Sequence, residues 1–243
     1  MSTRVVRVLL VVVPLLIVSG VGGLGYAALQ GKPGNYVSAK ERYGTAPTWT
    51  LTDQNGKTVS SDDLAGKVQV VTYLFPYCTT FCPALTHVLA SLEADLKDAG
   101  LAGKRVQLVA FNVDPTNTGP AQMRTFLEQY GVSSSDPAWT YVTGTPAKIQ
   151  HVVNDGYHVF FQQISLADEA KQIAEEKRKG IYTSVTTVPN ALQAKAKPDY
   201  DIVHNEQIDV VAPDGHIAAL FSAGASVSET DLYEAVQHAI TDR

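Results

Sequence analysis

Apolar residues fall along this 243-residue chain in several distinct rhythms, and each predicts a different element. From Val8 to Leu29 run 22 residues with no charge, amide or histidine, preceded by Arg4 and Arg7. A helix of that length reaches about 33 Å, enough to cross a hydrocarbon core of roughly 30 Å. Residues 1–30 therefore predict a single membrane-spanning anchor, with the arginines left on the cytoplasmic side and everything after Leu29 exported. A cleavable secretory signal is the alternative, because the glycines between Gly20 and Gly25 weaken the helix and Gly25-Tyr26-Ala27 has cleavage-like spacing. Residues 31–46 are polar and read as a tether.

From residue 47 to 243 short strands alternate with helices. Thr48 to Thr52 and Lys57 to Val59 flank Asp53-Gln-Asn-Gly56, a hairpin whose turn draws positive φ angles from Asn55 and Gly56. Val68 to Phe75 is apolar and rich in β-branched residues, the composition of a strand buried on both faces. Leu85, Val88, Leu89, Leu92 and Leu96 then recur at helical spacing. A strand over Arg105–Val113, a helix over Ala121–Tyr130 stopped by Gly131, and a strand over Trp139–Val142 continue the alternation. This is an α/β pattern, with a parallel sheet and helices on both faces. A short helix over 146–154 leads to Tyr157–Phe161. Residues 162–199 break the rhythm: 167–179 is dense in charge of both signs and ends at Gly180, which predicts a solvated helix within an insertion. A hairpin around Pro213-Asp-Gly215 and a closing helix from Ser228 to Ile240, opened by a Ser-x-x-Asp cap, complete the chain.

Composition narrows the class. Hydrophobic residues at 45% and charged residues at 18% provide for a packed core and exclude a disordered chain. A net charge of −5 repels phosphate backbones, so nucleic acid is not an expected partner. Two cysteines are too few for a disulfide scaffold, and they sit four apart in Cys78-Thr-Thr-Phe-Cys82-Pro83. There the strand over 68–75 gives way to the helix, so the sulfurs can lie one turn apart near a helix N-terminus. That end stabilises thiolate, which is both the nucleophile and the metal ligand. A structural disulfide is the plain alternative, although so short a loop restrains little chain entropy.

A metal held by two thiolates needs a further ligand, and there are six histidines: His87, His151, His158, His204, His216 and His238. His87 follows Cys82 by five residues, rotated away from it on the helix. His216 falls in a hairpin turn and His238 on the last helix, both expected to be solvated. His151 and His158 flank a short helix and a strand. His204 precedes the Ile208 strand, on a loop that a thioredoxin-like sheet would bring toward the cysteines. Spacing alone does not choose it over the others.

Taken together, the apolar anchor, the buried strand leading to C-x-x-x-C-P, the Asn-Val-Asp114-Pro115 strand end, Val142-Thr143-Gly144-Thr-Pro, and a histidine before a strand ending in Pro-Asp-Gly215 resemble the Sco/SenC family. The resemblance spans residues 45 to 240. It implies a thioredoxin-like fold and an exported copper-binding factor that assembles the CuA centre of cytochrome c oxidase, with thiol-disulfide activity as a further theme. It carries Cys78, Cys82 and His204 over as copper ligands, and places Asp114 near the site. It implies the oxidase's copper-bearing subunit as partner, with other copper chaperones or thiol-disulfide reductases beside it, and the extracytoplasmic, periplasmic side as location. This chain departs from the family in having Thr79 after the first cysteine and Val203 before the histidine, where many members have proline and aspartate. The insertion is also longer than the family pattern.

Two thiolates suit Cu(I) and an imidazole adds affinity for Cu(II). Zinc is the competitor for a Cys₂His site, although the chain has no H-E-x-x-H pattern. Three function classes follow: a membrane-anchored copper chaperone, which is not an enzyme in the usual sense; an extracytoplasmic thiol-disulfide oxidoreductase with Cys78 and Cys82 as its redox pair; and a thiol peroxidase or redox sensor.

Overall fold

A computed structural model describes residues 43–182, 187–196, 198–222 and 226–241. The predicted anchor over 1–30 and most of the tether lie outside the described residues. Among those described, no helix is long and apolar enough to cross a membrane.

The chain opens with β1 (Thr50–Asp53) and β2 (Thr58–Ser60), an antiparallel hairpin. Only Gly56 takes a positive φ in its turn, at 79°, and Asn55 does not. The Asp53 carboxylate accepts from the Asn55 and Lys57 amides, both at 2.8 Å, and this fixes the turn in place of a second positive φ. Next come β3 (Val68–Leu74), α1 (Phe81–Asp98), β4 (Val106–Asn112), α2 (Pro120–Gln129) and β5 (Trp139–Thr143). Every residue of β3, β4 and β5 is buried, and their largely apolar sequences are those of strands covered on both faces.

These three strands are mutually parallel and, with β8 (Ile208–Val211) and β9 (Ile217–Phe221), form a sheet of order β2-β1-β5-β4-β3-β8-β9 in which they hold the centre. The sheet is mixed rather than parallel, because β8 and β9 join β3 as an antiparallel hairpin and β1 joins β5 antiparallel. A hairpin needs only a tight turn, whereas each parallel pair needs a crossover helix. Both sheet faces are covered. On one, the Trp139 indole donates to Glu93 of α1 at 2.9 Å and Phe126 of α2 packs on Tyr141. On the other, Tyr73 and Phe111 meet Tyr157 and Trp49. Tyr157 follows α3 (Pro146–Ile149) and its π-helical continuation to Gly156.

The insertion corrects the sequence reading in one respect. Residues 162–165 belong to β6 (Phe161–Ser165), which pairs antiparallel with β7 (Tyr200–His204) as a separate two-stranded ribbon. Between its arms lie α4 (Leu166–Lys179), with Gly180 at φ 70°, and α5 (Ala191–Lys195). The ribbon lacks the short turn that marks a hairpin in sequence, since its arms are far apart along the chain. The closing helix α6 (Glu229–Thr241) is capped by Ser228, whose hydroxyl accepts from the Asp231 amide at 3.0 Å.

The described chain enters at the base of the sheet. Ala46 N–H donates to Gly215 at 2.9 Å and Ile217 N–H to Gly44 at 2.9 Å, while Gly66, just ahead of β3, donates to Pro213 at 3.2 Å. The cysteine loop leaves β3 at the opposite end. His216, expected to be solvated, is buried at 5% exposure with Nδ1 2.5 Å from the Asp214 carboxylate.

Asp209 on β8 is fully buried, accepting from the Tyr73 hydroxyl at 2.7 Å and from Gln207 Nε2 at 2.9 and 3.0 Å. Burial pushes its carboxyl up to about 6 from the usual 3.8. The folded protein thus holds a proton that the unfolded chain releases. This contribution is complete below about pH 4 and is lost as pH rises through about 6, a change of about 3 kcal/mol. Asp209→Asn is expected to flatten the dependence of the urea midpoint on pH between 4 and 7; a slope identical to that of the parent protein would reject this role.

Candidate metal centre

Loop 75–80 links the C-terminal end of β3 to α1. It turns through a Cys78 N–H to Phe75 carbonyl bond of 2.9 Å, and α1 begins at Phe81. Cys82 is therefore in the first turn, where backbone N–H groups have no partner within the helix. Its amide donates to Cys78 Sγ at 3.4 Å. The helix terminus thus serves the sulfur of Cys78, four residues back, rather than that of Cys82.

The two thiols differ sharply in consequence. Both are unbridged; Cys82 is wholly buried and Cys78 is 7% exposed. The hydrogen bond from the Cys82 thiol, helped by Thr80 Oγ1 at 3.5 Å, holds Cys78 down to about 7 against its burial. Burial and the neighbouring Cys78 push Cys82 well up. The pair shares its protons, and the first one lost leaves its charge on Cys78. In the metal-free reduced protein, Cys78 alkylation is expected to rise with a midpoint near pH 7 while Cys82 stays slow; equal rates at pH 7 would contradict this asymmetry.

His204 is the last residue of β7 rather than part of a loop. Its Nε2 lies 3.6 Å from Cys82 Sγ, and its Nδ1 lies 3.0 Å from the Asn205 carbonyl. A carbonyl can only accept, so Nδ1 carries the proton and the Nε2 lone pair faces the sulfur. Burial lowers the imidazole's pKa and keeps it neutral, the form that ligates metals. The Asn205 carbonyl fixes tautomer and ring orientation together.

The other histidines lie apart from the sulfurs. His87, His151, His158 and His238 are exposed, with His151 Nδ1 3.4 Å from Asp155, and His216 is bonded to Asp214 at the base of the sheet. Asp114 connects to the site through β7: the Tyr200 hydroxyl donates to it at 2.6 Å, and the Tyr200 ring packs on Phe75 at the start of the cysteine loop. Sequence reasoning missed Tyr200 and Thr80. Only a hydroxyl two residues past a cysteine could have drawn attention to Thr80.

Among the described residues no three His, Cys, Asp or Glu side chains are already spaced to hold a metal ion. Cys82 touches both Cys78 and His204 and so is the member they share. Two sulfurs and one neutral imidazole nitrogen fit a soft, thiophilic metal in donor chemistry.

The SCO1/SenC family profile matches residues 37–183, more than half of the chain. The chain belongs to the SCO1/SenC family. Its Sco relatives include the SCO1 protein homolog of Bacillus subtilis (strain 168), 24% identical over 193 residues, which cover 79% of this chain and 81% of the relative. The copper-bound structure of Arabidopsis thaliana ScoI superposes with a TM-score of 0.59 at 19% identity, over 81% of this chain and 98% of that one. BsSco, in which a disulfide switch was identified and which is a member of the Sco family of cytochrome c oxidase assembly proteins, gives 0.55 at 22%, over 82% and 95%. These likenesses settle the thioredoxin-like α/β fold of the Sco family. The profile match covers Cys78, Cys82 and Asp114 but ends within the insertion, so His204 is placed by geometry.

Proposed function

We propose that this protein is a membrane-anchored, extracytoplasmic copper-binding assembly factor that serves the copper-bearing subunit of cytochrome c oxidase, with Cys78, Cys82 and His204 as the copper ligands. Family membership supports the class, and a copper-bound relative of the same fold supports the metal. The apolar segment from Val8 to Leu29 and the arginines before it support anchoring and export. The observation that carries the reading is the His204 Nε2 lone pair turned onto Cys82 Sγ at 3.6 Å, with its other nitrogen committed to a carbonyl. That nitrogen faces a thiol four residues from a second thiol, which puts an imidazole donor atom beside two sulfurs. Copper is the cargo, and as Cu(I) or Cu(II) it would draw on the thiolates and the imidazole in different proportion. Anaerobic titration of the reduced protein is expected to show one copper per chain, with a thiolate charge-transfer band for Cu(II). Binding without that band, or preferential binding of zinc, would overturn the assignment.

The asymmetry of the two thiols favours a second reading, thiol-disulfide exchange with the same target. The Cys78 thiolate would attack one sulfur of a target disulfide and expel the other as thiolate, forming a mixed disulfide. Cys82, giving up its proton, would then attack Cys78 Sγ and release the target's second thiol. The target gains two electrons and this chain is left with a Cys78–Cys82 disulfide. The readings are compatible, because copper binding itself demands the reduced pair.

A further inference from the structure

The cysteine loop is irregular backbone, and its carbonyls need donors from outside it. Four in succession, from Pro76 to Thr79, receive donors from residues 188–193 of the insertion. The Val188 amide donates to Thr79 at 2.7 Å. Asn190 Nδ2 donates to Pro76 and to Cys78, both at 2.9 Å, and Gln193 Nε2 donates to Tyr77 at 2.7 Å. Asn190 is 5% exposed, and its Oδ1 accepts from Leu192 N at 2.9 Å to cap α5. The Ala191 amide is held in turn by Gln129 of α2 at 2.9 Å. The segment is thus braced on the main domain at one side and grips the loop at the other.

The chemistry at Asn190 is specific to a carboxamide. Both amide protons are spent on the loop and the oxygen on the α5 amide, so the orientation of the group is fixed by all three bonds. Aspartate has the same shape and no donor; serine has one donor and a shorter reach. Gln129 Oε1, Gln193 and Val188 extend the same grip to either side.

We propose that residues 188–193 form a strap that sets the position of Cys78 over the helix N-terminus, with Asn190 as its positioning residue. The strap lies beyond residues 37–183, the stretch that the family profile matches. The inference concerns the loop whether the site handles copper or disulfides, and it does not rest on the reading above.

The test uses the full chain, metal-free, with two readouts: the ratio of Cys78 to Cys82 alkylation at pH 7, and the reduction potential of the Cys78–Cys82 disulfide against a glutathione redox buffer. In Asn190→Asp the ratio is expected to fall about tenfold or more, the scale of two lost hydrogen bonds to buried carbonyls, with a shifted potential. Asn190→Ser should recover part of the loss, and Lys195→Ala, on the exposed side of α5, should change nothing. Gln193→Ala removes one bond from a half-buried side chain, and should lower the ratio roughly threefold. If ratio and potential stay at parental values in Asn190→Asp while the melting temperature drops, the strap supports the fold without setting Cys78, and the proposal is wrong. Should Asn190→Asp not fold, Gln193→Ala decides by the same criterion. Because no metal is present, failure here leaves the copper assignment standing, and failure of copper binding leaves the strap standing.

Discussion

Replacing His204 with alanine is expected to weaken Cu(II) binding by roughly 100-fold or more, and Cu(I) binding far less. The difference follows from the donors left behind. Cys78 and Cys82 can hold the softer Cu(I) by themselves, whereas Cu(II) loses the imidazole nitrogen that suits it. Reduction of a disulfide substrate should persist at close to the parental rate, since neither the attacking thiolate at Cys78 nor the resolving thiol at Cys82 is removed. Competition titrations for each oxidation state, beside a turnover assay, separate these outcomes. Unchanged affinity for both ions, with undiminished copper loading of the oxidase, would remove His204 from the site and leave thiol exchange as the activity.

The two cysteines are expected to fail differently when each is replaced by serine. Cys78→Ser removes the sulfur that receives the Cys82 amide and holds the thiolate near neutral pH, so reaction with disulfides should fall to background. Cys82→Ser keeps that nucleophile and deletes the resolving thiol, so a mixed disulfide through Cys78 should accumulate and persist. Stoichiometric copper binding should be lost in both. Mass spectrometry of the products under non-reducing conditions reads the distinction. A mixed disulfide trapped on Cys82 in Cys78→Ser would reverse the assignment of roles.

Much of this was legible in the chain because burial on two faces leaves an unmistakable record. Val68–Leu74, Val106–Asn112 and Trp139–Thr143 are largely apolar runs broken only by uncharged polar residues, and each is a central strand. The cysteine spacing placed both sulfurs at one strand-to-helix turn, where they lie. What it could not convey was which sulfur the helix terminus serves, since that depends on the loop folding back to put Cys78 Sγ over the Cys82 amide. The β6–β7 ribbon was hidden for another reason: Phe161-Gln-Gln-Ile-Ser is only weakly apolar, and its partner arrives after the whole insertion. His204 was one of six by spacing, chosen by resemblance, and its register opposite Phe161 was invisible without that ribbon. Asn190 drew no attention in the sequence: a helix-capping residue after proline can mark a cap, and it gives no hint of the loop it grips.

The entry of the described chain at the base of the sheet puts its first bonds and its cysteines at opposite ends of one strand. Ala46, Gly44 and the Pro213–Gly215 turn are joined at one end of β3, and the cysteine loop departs from the other, about 23 Å away along a seven-residue strand. The bonds that fix where the described chain begins are therefore a full strand length from the sulfurs, so a change at Ala46 or Gly215 need not disturb the geometry around Cys78.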